Sequence, residues 1–166
     1  PGYVTIPKGK GPFPLVVQHN GGPAVNGMVS YDEMGQMLAS QGYMVFHPEI
    51  RISTGWGQKH FDAGYKQHGL AMQDDKDDGV KYLIEQGLVD PNRVAFFGWS
   101  YGGYMTLKLL QKAPGTFMAG ISGAPVTKWD LYDTHYTERY MGDPRQVPKA
   151  YKAASTLGAS PTWVFA

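Results

Sequence analysis

Gly98-Trp99-Ser100-Tyr101-Gly102 sets one hydroxyl between two glycines, with a further glycine at Gly103. The run before it, Arg93-Val94-Ala95-Phe96-Phe97, has the apolar, β-favouring character of a buried strand. The run after it, Tyr104 to Lys112, is apolar on one side at helical spacing and is stopped by Pro114-Gly115. A serine on a sharp strand-to-helix turn raises its hydroxyl above the sheet edge, where it can attack an acyl carbon. Glycines are needed around it because so strained a backbone leaves no room for side chains. The N-terminus of the following helix would aim N–H groups and a partial positive charge at the oxyanion that the attack creates. Ser100 is therefore the predicted nucleophile, and the Tyr101 backbone N–H one predicted oxyanion donor.

A serine hydroxyl at its free pKa is a weak nucleophile and needs a general base, itself held by a third group. The five histidines are His19, His47, His60, His68 and His135. His19, at the end of a predicted strand, and His135, after the serine, are the two with some claim to the role, but both read as surface or loop histidines. Asp74-Asp75-Lys76-Asp77-Asp78 invites a metal, yet lacks the alternating ligands, central glycine and distal glutamate of a calcium loop. It reads as acidic residues serving solvent and the dipole of a helix start. Neither a metal nor a cofactor is expected.

The elements that would position Ser100 follow an alternating strand and helix pattern. Strands are predicted at Tyr3–Ile6, Leu15–Gln18, Tyr43–Phe46, Val94–Phe97, Met118–Ile121 and Trp163–Ala166. Helices are predicted from about Tyr31 to Ser40, ended by Gly42, and from about Leu70 to Gln86, closed by Gly87. Between them runs a glycine-spaced segment, Arg51 to Gly69. This is the signature of a mostly parallel α/β sheet with helices on both faces. At 166 residues the chain is one domain's worth and can bury a real core. A formal charge of +1 argues against a nucleic-acid partner, and no apolar stretch approaches the ~18 residues of a membrane span. The chain has no cysteine, so there is neither a disulfide framework nor a thiolate metal site. Compartment and oligomeric state are left open, although the uncovered edge of the final predicted strand would invite association into a homo-oligomer.

From Pro14 to about Pro144 the chain resembles the catalytic domain of the prolyl oligopeptidase family of serine peptidases, which includes dipeptidyl peptidase IV and acylaminoacyl peptidase. The residues that carry the resemblance are Gly98 to Tyr104, Ala124-Pro125-Val126-Thr127-Lys128-Trp129 and Tyr132 to Gly142, with the Gly21-Gly22-Pro23 loop and Ser53-Thr54-Gly55-Trp56-Gly57. It implies an α/β-hydrolase fold, usually joined to an N-terminal β-propeller, and a peptide substrate. It implies a second oxyanion donor from the loop after the second strand, at Gly22. It also implies an apolar S1 pocket built by Tyr101, Val126, Trp129, Tyr132 and Tyr136, which would accept proline or another small apolar side chain. Tyr132 and Tyr136 are expected to share one helical face. Family members carry histidine or tyrosine where this chain has Asn20, whose amide either donates to the oxyanion or makes a local Asx-type turn. Ile52 stands where the family usually has glycine.

In this fold the chain order is Ser, then Asp or Glu, then His. No histidine follows His135. The expectation is a C-terminally truncated catalytic domain spanning residues 1–166, with the propeller and the Asp/His segment absent, and inactive or nearly so by itself. The parent would be a serine peptidase. An esterase of the same fold and a non-catalytic, hydrolase-like binding domain are the alternatives, the latter drawing on Asn20 and Ile52.

Overall fold

Five strands form one sheet in the computed structural model, which describes residues 1–112 and 117–157. They are β1 (Gly2–Thr5), β2 (Phe13–His19), β3 (Met44–Pro48), β4 (Val89–Trp99) and β5 (Ala119–Gly123), in spatial order β1-β3-β2-β4-β5. β1 runs antiparallel to β3, and every other pairing is parallel. The helices are α1 (Glu33–Ser40), α2 (Gln58–Asp62), α3 (Ala71–Glu85), α4 (Tyr101–Lys112), α5 (Thr134–Met141) and α6 (Pro148–Ala154), with a 3₁₀ turn at Trp129–Leu131. This is an α/β-hydrolase sheet with its helices packed against it. The predicted strand at Trp163–Ala166 and the stop at Pro114-Gly115 lie outside the described residues.

Alternation along the strands explains the core. Leu15, Val17, Met44, Phe46, Val94 and Phe96 share one side of the sheet and pack against Val80 and Leu83 of α3 and Leu109 and Leu110 of α4. Val16 and Val45, which point the other way, are buried as well. A sheet covered on both faces requires apolar residues at successive positions, so these strands read as continuous runs. α1 lies beside β1 and β3.

The helix ends follow local chemistry. Asp32 caps α1, its Oδ2 accepting the Gly35 N–H at 3.0 Å. Gly42 and Gly87, at φ +89° and +70°, end α1 and α3 in the left-handed conformation that glycine adopts freely. Two elements run longer than their apolar stretches. β4 begins at Val89, where it pairs with Phe13 before a register shift, and its Asp90-Pro91-Asn92 portion carries no apolar signal. α4 begins at Tyr101, because Gly102 and Gly103 serve close packing there and do not break the helix.

From β2 the chain crosses to β3 on one side and then returns to β4 on the other. The carboxyl ends of β2 and β4 therefore flank the point where the strand order reverses, the place where open α/β sheets form their crevice. His19 pairs with Gly98 across that point.

Candidate active site

Ser100 stands alone between the last residue of β4 and the first of α4. Its φ is +56°, in the left-handed region that a residue with a Cβ enters at a cost of about 1–2 kcal/mol. Two backbone hydrogen bonds hold it there. The Ser100 N–H donates to the Gly123 carbonyl at 2.8 Å, and the Tyr104 N–H donates to the Ser100 carbonyl at 3.0 Å. The surrounding glycines make the turn possible by close approach. A Cβ on Gly98 would collide with the Gly102 carbonyl, one on Gly102 with the His19 carbonyl, and one on Gly103 with the Gly123 carbonyl. The turn is thus wedged between the ends of β2 and β5. Tyr101 opens α4, so its N–H is among the first-turn donors that the helix leaves without an internal partner.

The loop after β2 passes the serine at Gly21, where an added Cβ would lie 3.2 Å from Ser100 Cβ and 3.6 Å from its Oγ. Gly22, the residue named from the sequence, is the next along and is exposed at φ +131°. Asn20 is also exposed, and among the described residues its side-chain amide has no hydrogen-bond partner, so the Asx-type turn is not formed. Glu49 braces this loop. Its buried carboxylate accepts the Gly27 N–H at 2.8 Å through Oε1 and the Trp56 indole N–H at 3.2 Å through Oε2. The loops after β2 and β3 are further joined by the Thr54 N–H, which donates to the Val25 carbonyl at 3.1 Å. Neither Gly21 nor Glu49 was singled out by sequence reasoning; the Gly21-Gly22 doublet was the available signal for the first.

The aromatic residues named from the sequence come together on one side. Trp129 stacks on Tyr136 with centroids 5.8 Å apart and meets Tyr132 edge-on at 5.9 Å. Tyr101 lies 5.7 Å from Trp129, and Val126 packs against the same cluster. Tyr101 and Trp129 are buried, Val126 and Tyr136 half-buried, and Tyr132 exposed. Tyr132 is the residue that ends the 3₁₀ turn, and Asp133 caps α5 by accepting the Tyr136 N–H at 2.8 Å. The two tyrosines therefore do not share a helix, although their rings meet edge-to-face at 5.6 Å. Burial pushes the Tyr101 and Tyr136 hydroxyls above the ordinary tyrosine range, so both remain protonated.

His19 is buried, contrary to the surface or loop placement expected of it, and His68 is buried as well. Burial holds His19 well below the usual imidazole value, with the neighbouring charge of Lys76 acting in the same direction, and burial lowers His68 to about 4. His135 is exposed at the start of α5. Among the described residues no hydrogen bond joins Ser100 Oγ to a histidine.

The acidic run does not simply face solvent. Asp75 pairs with Arg51, Asp74 with Lys112 of α4, and Lys76 is fully buried, its Nζ 5.0 Å from the Phe96 ring centroid. Glu138 and Arg139 are exposed. Ile52 is buried at φ +84°, holding a β-branched side chain in a region where such residues are rare.

The prolyl oligopeptidase family profile matches residues 29–160. Dipeptidyl peptidase 8 of Mus musculus is 40% identical over 151 residues, covering 86% of this chain and 17% of that protein. Prolyl endopeptidase FAP of Homo sapiens is 34% identical over 135 residues, covering 80% of this chain and 18% of that protein. The crystal structure of Porphyromonas gingivalis dipeptidyl peptidase 4 superposes with a TM-score of 0.85 at 34% identity, covering 95% of this chain and 23% of that one. The chain spans about a fifth of the length of the relatives it matches. With a glycine-wedged serine at the crevice of an α/β-hydrolase sheet and relatives of this kind across most of its length, the chain belongs to the prolyl oligopeptidase family of serine peptidases.

Proposed function

We propose that this chain is the nucleophile-bearing part of a peptidase catalytic domain that cleaves short peptides through an acyl-enzyme on Ser100. The observation that carries the reading is the left-handed Ser100 between β4 and α4, wedged by three glycines whose side chains could not be larger. In the reaction Ser100 Oγ attacks the scissile carbonyl carbon and gives its proton to a base. The Tyr101 N–H stabilises the resulting oxyanion, joined by a donor from the loop after β2, either the Gly22 N–H or the Asn20 amide. Collapse expels the amine, which takes the proton, and water then releases the acyl group by the same steps.

We assign the base, its orienting carboxylate and a β-propeller to sequence outside these 166 residues. Support comes from the small share of its relatives that the chain covers, 17% and 18%, and from the Ser–Asp–His order of this fold. The 166 residues alone are then expected to hydrolyse amides little or not at all. The aromatic cluster of Tyr101, Trp129, Tyr132 and Tyr136 with Val126 supports proline or a small apolar residue at S1, since flat rings recognise such side chains by contact alone.

The test is a fluorophosphonate probe on the full-length gene product, followed by a comparison of a Gly-Pro amide with a simple ester. Labelling and amide cleavage that both vanish in Ser100→Ala are expected. Labelling that survives the substitution sinks the assignment, and turnover of the ester alone turns it into an esterase.

A further inference from the structure

His68 lies in the segment between α2 and α3, distant in sequence from every aromatic residue assigned to S1. Its imidazole is nevertheless the common neighbour of three of them, Tyr101, Trp129 and Tyr136. It meets Trp129 edge-on at 5.1 Å and Tyr101 edge-on at 5.2 Å, and lies 6.2 Å from Tyr136 and 6.1 Å from Tyr140. Its Nε2 is 3.3 Å from the Tyr136 hydroxyl. That tyrosine keeps its proton, and the tautomer of the imidazole sets which of the two groups donates in this hydrogen bond.

The ring also borders an 80 Å³ cavity, lined too by Lys66, Leu70, Met141, Val147, Ala150 and Ala153. Apart from Lys66 these neighbours are apolar, and among the described residues His68 Nδ1 has no hydrogen-bond partner although it is buried. An aliphatic side chain would fill such a place without leaving a polar atom unpaired. What histidine supplies instead is a flat ring packed against Tyr101 and Trp129 together with a ring nitrogen that fixes the Tyr136 hydroxyl.

We propose that His68 is a positioning residue that forms the floor of the S1 pocket and separates it from the 80 Å³ cavity between the segment before α3 and helices α5 and α6. The proposal rests on the S1 assignment made above. By holding Trp129 and Tyr136 in place, the imidazole keeps the pocket shallow and suited to proline or alanine. Without the ring, pocket and cavity become one space deep enough for a longer apolar side chain such as leucine or methionine.

The experiment measures kcat/KM of the full-length gene product on Gly-Pro, Gly-Ala and Gly-Leu 4-nitroanilides, each with a free and an acylated N-terminus. In His68→Ala the Leu-to-Pro ratio should rise by about tenfold or more, and in the milder His68→Val it should move the same way. Ala150→Leu, which fills the cavity from α6, should leave the wild-type ratio within about twofold and should cancel the gain when combined with His68→Ala. Should His68→Ala fail to fold, His68→Val and its combination with Ala150→Leu decide the matter. A ratio that stays put while Pro and Leu rates fall in parallel overturns the proposal and leaves the S1 assignment standing. A wild-type enzyme that cleaves none of these amides removes both.

Discussion

Arg51 and Asp75 are locked together by two parallel hydrogen bonds, Nε to Oδ2 at 2.9 Å and Nη2 to Oδ1 at 2.6 Å, and the Arg51 backbone N–H adds a third to Oδ2 at 2.8 Å. One carboxylate thus fixes both the side chain and the main chain of the segment that leaves β3, and ties it to α3. Burial alone would raise the Asp75 carboxyl, but the hydrogen bonds and charge of Arg51 outweigh it and hold the group below the usual carboxylate range. Asp75→Ala should destabilise the fold by about 1–3 kcal/mol, less than a fully buried pair because both groups keep partial access to water. Asp75→Asn should lose less. A shift in the urea midpoint measures both. The contribution should be complete above the ordinary carboxylate value and disappear as pH falls through the lower folded one.

The wedge of glycines around the serine makes a second expectation. Gly102→Ala drives a methyl group into the His19 carbonyl and to within 3.3 Å of the Asn20 carbonyl, both backbone atoms of β2 and its loop. Neither can yield without moving the oxyanion loop. A loss of about 3 kcal/mol is expected, read as a fall in Tm, with fluorophosphonate labelling lost even in the folded fraction.

The left-handed serine allows its strain to be measured apart from its chemistry. Ser100→Ala and Ser100→Gly both remove the hydroxyl, and both should lower amide turnover by at least about a thousandfold. Only glycine is free of the left-handed penalty, so Ser100→Gly should be more stable than Ser100→Ala by about 1 kcal/mol. Equal melting temperatures would mean that the turn is relaxed.

Acid should weaken the fold before it protonates any paired carboxylate. His68 is neutral when folded, with its value lowered to about 4 by burial, and takes up a proton on unfolding near the ordinary imidazole value of 6.5. Its share of the stability is full above pH 6.5 and is lost as pH falls toward 4. Across that window the loss is on the order of 3 kcal/mol, and buried His19 acts in the same direction. The urea midpoint should therefore drop between pH 7 and 5, and His68→Leu should flatten that drop.

Local chemistry made a large part of this molecule readable without coordinates. The strands announced themselves because a sheet buried on both faces demands unbroken apolar runs, as in Leu15-Val16-Val17. Helix ends were marked by Gly42 and Gly87, whose left-handed φ belongs to glycine. Ser100 was found from neighbours one and two residues away, since the constraint on the turn is itself local.

Partners remote in sequence were not readable, because residue type states what a side chain can do but not what surrounds it. Asp75 looked like part of a solvated acidic run until folding set it against Arg51, 24 positions away. Nothing near His68 in the sequence points to Tyr136, 68 positions away, whose hydroxyl lies 3.3 Å from its ring. Lys76 gives no hint in its spacing that its Nζ lies over Phe96, where burial pushes the amine well below the usual lysine range. Burial of these groups is a property of the assembled sheet and helices, and it alone decides which of them are charged, which are neutral and which brace the serine's surroundings.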